Sequence, residues 1–152
     1  MATPDWPAEK GDYLIVFDCP EAVAVQVGRA GEVHLSPGRY AYSGSARGPG
    51  GIRARLGRHL RGGTRRHWHI DYLRAHLRPI MAGFVVGRER RECAWARRLR
   101  TAGASPVIAG LGATDCRCEG HFLALQRGME PAAVVAEVNL RRLIPSDLSA
   151  SL

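Results

Sequence analysis

The chain has 152 residues, enough for one ordinary domain and too few for two large ones. Its 22 Lys and Arg against 14 Asp and Glu leave a formal charge of +8, which favours an anionic partner, with nucleic acid first. No apolar run reaches the roughly 18 residues of a membrane span, the opening MATPDWPAEKGD lacks the layout of a signal peptide, and four scattered cysteines make a poor disulfide framework. The expected setting is the cytoplasm, with reduced thiols and no membrane partner.

Residues 1–10 are polar and proline-bearing and read as a flexible lead-in, so the core is expected to start near Gly11. YLIVFD (13–18) predicts a buried strand. In VAVQVGRAGEVHL (23–35), apolar and polar residues alternate on both sides of GRAG, predicting a hairpin. Tyr40 to Ser43 forms another short strand, and GSARGPGG is too rich in glycine and proline to continue it.

A helix follows in which Ile52, Leu56 and Leu60 form an apolar stripe that must face the core. At about 100° per residue, Arg55 and His59 fall together on one flank of the stripe, while Arg58 and Arg61 point away. WHIDYLRAHL (68–77) predicts a second short helix with Ile70, Leu73 and Leu77 inward, and PIMAGFVVG (79–87) a buried strand. ERRECAWARRLRTAG (89–103) predicts a helix that Gly103 terminates in a left-handed conformation. On it Glu92 shares the apolar stripe of Ala96 and Leu99, opposite Arg90, Arg91, Arg97 and Arg98. An inward carboxylate is costly unless it is paired, protonated or bound to a cation.

The stretch ASPVIAGLGATDCRCEGH (104–121) is long for a loop in a compact domain, which marks it for function. FLALQ returns to the sheet, and Pro131 opens a closing helix, PAAVVAEVNLRRL, before a polar tail. The expected organisation is a lead-in (1–10), a main domain (11–127) and a C-terminal helix with tail (128–152). The element order points to a small α/β sandwich, with a mixed or antiparallel sheet flanked by helices and an extra N-terminal hairpin.

Two constellations could carry chemistry. In the first, Glu92 is a hard oxygen ligand for Mg²⁺ or Mn²⁺, Tyr13 and Tyr42 can relay a proton, the planar fork of Arg55 matches two phosphate oxygens, and His59 can position phosphate. Together they suit hydrolysis of a phosphodiester. Taken singly the same residues also fit plainer readings: core aromatics, a solvated helix flank, and a carboxylate paired with Arg55. Around this group Ser45, Arg47, Arg58, Arg65, Arg66, His67 and His69 could form a nucleic-acid-binding rim. The second constellation is His67, His69, Asp71, Asp115, Cys116, Cys118 and His121, where thiolate and imidazole could hold Zn²⁺. Alternatively, that loop folds over the cleft of Glu92 and offers acid, base or phosphate-binding groups.

In Gly11-Asp12-Tyr13, Tyr42-Ser43-Gly44, the helical Arg55, His59 one turn on and the later Glu92, the chain resembles the GIY-YIG nuclease superfamily. YAYSGSA, RLGRHL, HWHIDYL and DCRCEGH, in that order, resemble its Uri-like branch, whose members occur alone or joined to an endonuclease III-type repair glycosylase. Asp12 and Ser43 stand where the motifs usually carry apolar residues, Ser45 where some relatives carry lysine, and the 23–35 hairpin lengthens the separation between the motifs. The resemblance implies a nuclease in DNA processing or repair. It assigns one divalent ion to Glu92, charge stabilisation to Arg55, proton acceptance to Tyr13 and a neighbouring role to Tyr42. The competing expectation is a non-catalytic nucleic-acid-binding module, zinc-stabilised or not, that assists a repair enzyme.

Overall fold

The computed structural model describes residues 6–62, 69–107 and 121–149. The apolar run after Gly11 becomes β1 (Gly11–Cys19), which is buried along nearly its whole length because strands pair on both its edges and helices cover both its faces. β2 (Val23–Gln26) and β3 (Glu32–Leu35) form the expected hairpin as a separate two-stranded sheet, closed by a 3-10 turn at Gly28–Ala30. β4 (Gly38–Ala46) pairs antiparallel with β1, placing Tyr13 opposite Gly44 and Tyr42 opposite Ile15.

α1 (Gly51–Arg61) buries Ile52, Leu56 and Leu60 completely, as its stripe requires. α2 (His69–Leu73) runs into a 3-10 turn (Arg74–His76), with Ile70, Leu73 and Leu77 inward. β5 (Arg78–Val86) lies on the other side of β1. Expected to be buried, it is only partly so: Ala82 is fully covered and Val86 is exposed, because the strand beyond it spans just two residues.

α3 (Glu92–Thr101) starts later than the expected 89, and the backbone N–H of Arg91, which precedes its first residue, donates to the Asp12 carboxylate. It ends as expected: Gly103 has a positive φ of 121°, and the Ala104 N–H reaches back to the Leu99 carbonyl at 2.9 Å. β6 (Ser105–Pro106) and β7 (Phe122–Ala124) return to the sheet beside β4. α4 (Pro131–Val134), β8 (Arg141–Arg142) and α5 (Pro145–Ser149) complete the chain.

The result is a mixed α/β fold around an antiparallel six-stranded sheet of order β6-β7-β4-β1-β5-β8. Alternation along the strands sorts two cores. Tyr13, Ile15, Phe17, Tyr40 and Tyr42 pack with α1, α2 and the hairpin, while Leu14 and Ala41 pack with Trp95, Ala96 and Leu99 of α3.

Two further expectations need correction. Residues 6–10 are not a loose lead-in: Trp6 is buried edge-on against Phe84, with the Arg141 guanidinium 4.4 Å above its ring. The carbonyls of Pro7 and Glu9 accept the Arg53 and Ile52 N–H groups, satisfying the first turn of α1 where glycine offers no side-chain cap. Nor does 131–143 form one closing helix. Val135 leaves helical geometry, Asn139 takes a left-handed φ of 52°, and Arg141–Arg142 joins β5 as an edge strand. The residues after it include Asp147, which accepts two hydrogen bonds from Arg141, so this part of the expected polar tail is docked.

Candidate active site

β1, β4 and α1 bring three rings together. Tyr13 and Tyr42 lie 6.4 Å apart between centroids, and His59 stands 5.9 Å from Tyr13 and 5.5 Å from Tyr42. The first two come from neighbouring antiparallel strands on the same sheet face, and the third from the flank of α1 next to its apolar stripe. Gly44 makes this possible, since the Tyr13 phenol occupies the space a side chain there would need. The glycine of the second motif is thus the seat for the tyrosine of the first.

All three rings are buried, and their acidity follows from that. Desolvation drives the Tyr13 and Tyr42 hydroxyls well above the ordinary phenol value. For Tyr13 the neighbouring Tyr42 adds to this, and for both phenols the positive charge of Arg55 opposes it, while Glu92 and Asp71 push further upward. Desolvation also pushes His59 down to about 3, against the pull of Asp71 and with the help of Arg58, Arg55 and Arg74. At neutral pH the cluster therefore consists of two protonated phenols and a neutral imidazole.

Arg55 donates from Nη1 to the Ser45 carbonyl at 2.7 Å, which anchors it at the end of β4. Glu92 is the first residue of α3, where a helix N-terminus favours negative charge, and its side chain is 12% exposed. The Ser43 hydroxyl donates to the Glu92 carbonyl at 2.9 Å, so the unusual serine of the second motif ties β4 to the start of α3. His121 Nδ1 lies 3.5 Å from Glu92 Oε2, and its Nε2 lies 3.3 Å from Cys93 Sγ. The Glu92 carboxylate meets His121 here, as the alternative placement of this loop over the Glu92 cleft requires.

Several expected binding residues have structural work. Arg47 donates to Asp12 Oδ1, to the Gly87 and Glu89 carbonyls and to Ser45 Oγ, clamping the end of β4 to the turn before α3. Asp12, fully buried, is its counter-charge, which accounts for a carboxylate in the middle of the first motif. Arg58, expected to point to solvent, is held by both carboxylate oxygens of Asp71 at 3.2 and 3.0 Å, because α2 folds back against α1. Asp71 Oδ1 is also 3.9 Å from His59 Nδ1. His69 is half-buried on α2, apart from these contacts. Arg65, Arg66, His67, Asp115, Cys116 and Cys118 lie outside the described residues.

Among the described residues, no group of three or more His, Cys, Asp and Glu side chains is arranged to hold a metal ion. A single carboxylate still fits Mg²⁺ or Mn²⁺, which keep several waters and share phosphate oxygens of the substrate. Sequence reasoning missed Cys93 as a neighbour of this site. Its position directly after Glu92 was the available signal. Among the described residues no helix is long and apolar enough to cross a membrane.

The family described as domain of unknown function DUF123 matches residues 12–143, from the buried Asp12 through β8. The chain belongs to this family. No curated protein and no solved structure matches it. In this DUF123 chain the match takes in every described residue of the cluster, from Tyr13 to His121.

Proposed function

We propose that this protein is a metal-dependent nuclease of GIY-YIG type that hydrolyses phosphodiester bonds in DNA. The observation that carries the reading is the packing of Tyr13, Tyr42 and His59 within 6.4 Å of one another, with the charges of Arg55 and Glu92 reaching both phenols. Five residues of four types suited to one reaction come from β1, β4, α1 and α3.

Glu92 is the residue to hold Mg²⁺ or Mn²⁺. When bound, such an ion polarises a phosphate oxygen and lowers the pKa of a coordinated water. Tyr13 and Tyr42, protonated at neutral pH, are available to orient the attacking water through their hydroxyls, and neutral His59 to position phosphate. Arg55 supplies fixed positive charge, worth most where water is excluded. The formal charge of +8 supports salt-sensitive binding to phosphates without sequence readout. The cellular reading is cytoplasmic DNA processing or repair, in company with a repair glycosylase.

A second reading draws on burial. Tyr13 and Tyr42 are 1% and 5% exposed, which suits a scaffold kept for binding nucleic acid without turnover. Cleavage of labelled single-stranded, duplex, flapped and abasic DNA with Mg²⁺ or Mn²⁺, comparing wild type with Glu92→Gln, separates the two. The nuclease reading expects cleavage by wild type alone. Equal inactivity with retained salt-sensitive binding favours the binding module.

A further inference from the structure

The contact between Glu92 and His121 is the wrong length for a good hydrogen bond. Such bonds between nitrogen and oxygen span about 2.7–3.2 Å, whereas Glu92 Oε2 and His121 Nδ1 stand 3.5 Å apart. That distance is close to the edge between two ligands of one ion. With metal bonds of about 2.1 Å, oxygen and nitrogen at a tetrahedral angle lie about 3.4 Å apart.

The rest of the imidazole is arranged to match. Nε2 lies 3.3 Å from Cys93 Sγ, and in the tautomer whose Nε2–H donates to sulfur the Nδ1 lone pair faces Glu92. The backbone is fixed as well, because the His121 carbonyl accepts the Ser43 N–H at 3.0 Å while the Ser43 hydroxyl holds the Glu92 carbonyl at 2.9 Å. One residue of β4 therefore fixes the backbone of both residues, and the His121 side chain is 2% exposed.

We propose that His121 Nδ1 joins Glu92 as a second protein ligand, oriented by Cys93, so that the centre selects nitrogen-tolerant, readily tetrahedral ions such as Co²⁺ and Zn²⁺ over Mg²⁺. The inference rests on the assignment of Glu92 as metal ligand made above. Mg²⁺ demands near-ideal octahedral geometry and gives up its waters reluctantly, whereas an imidazole donor suits first-row transition ions.

The test is titration of the full chain with Co²⁺ followed by visible absorption, with Mg²⁺ as competitor, for wild type, Glu92→Gln and His121→Phe. Wild type should prefer Co²⁺. His121→Phe should lower Co²⁺ affinity by about tenfold or more while leaving Mg²⁺ affinity nearly unchanged, a change of selectivity that loss of packing alone would not produce. Should His121→Phe fail to fold, ¹⁵N-histidine NMR of wild type with Zn²⁺ decides, since ligation moves the Nδ1 resonance of His121 and not its Nε2. Unchanged selectivity in His121→Phe, or an unmoved Nδ1, overturns the proposal while Glu92→Gln still loses metal. Wild-type binding by Glu92→Gln instead removes the assignment of Glu92 itself, and the paired site with it.

Discussion

The Tyr13 phenol lies across Gly44 so closely that a side-chain Cβ there would stand 2.4 Å from Tyr13 Cζ and 2.5 Å from its hydroxyl oxygen. Gly44→Ala must displace the ring from its place beside Tyr42 and His59, and is expected to cost about 1–3 kcal/mol of stability. Under the nuclease reading, its effect on cleavage should exceed the loss of folded protein. In a Tyr13→Ala background the same substitution should cost much less, and a urea double-mutant cycle showing simple additivity would refute the contact.

His59 contributes a pH dependence with a definite sign. Its folded pKa is about 3, below the ordinary histidine value, so the unfolded chain binds the extra proton first. Stability from this group is fully present above pH about 6.5 and falls as pH drops toward 3, with a slope of up to about 1.4 kcal/mol per pH unit. The groups facing it are Asp71, Arg58, Arg55, Arg74 and the two phenols. His59→Phe should flatten the stability profile in that window, measured by denaturation between about pH 4 and 7.

Asp12→Asn tests whether the first motif's carboxylate is structural. It leaves Arg47 and the Arg91 N–H with a weaker acceptor in a fully buried position, for an expected loss of roughly 3 kcal/mol. Chemical denaturation gives the stability, and under the nuclease reading cleavage per folded molecule should change far less than in Glu92→Gln.

Arg55→Lys keeps a charge but loses the planar fork. Under the nuclease reading, kcat should drop by about 100-fold or more, with a smaller change in KM, as single-turnover and steady-state cleavage assays would show. A change in KM alone would reassign Arg55 to substrate binding.

Trp6→Ala removes a fully buried indole from between Phe84 and Arg141, and its expected cost is about 3–5 kcal/mol. Thermal unfolding should show it as a large fall in Tm. A shift within error would mean that residues 6–10 are as loose as their composition implies.

Much of the fold was legible because burial leaves a periodic trace. The four-residue spacing of Ile52, Leu56 and Leu60, the hairpin around GRAG, and Gly103 at the end of α3 all appear as read. The C-terminal segment misled for a local reason. PAAVVAEVNLRRL carries a helical pattern, but three β-branched valines and the left-handed Asn139 favour a break, and the open edge of β5 accepts Arg141–Arg142.

For the site, the sequence by itself determined the candidates and their relative order: two tyrosines on strands, an arginine and a histidine one turn apart on a helix, and a glutamate on a later helix. Tertiary structure alone decided how they are used. It assigned Arg58 to Asp71 and Arg47 to Asp12, placed Cys93 and His121 beside Glu92, and buried the phenols. The physical reason is range. Apolar periodicity is set by neighbours within one helix or strand, whereas the partner of a charge comes from wherever the sheet brings the chain back, as with Asp12 and the Arg91 N–H, 79 residues apart.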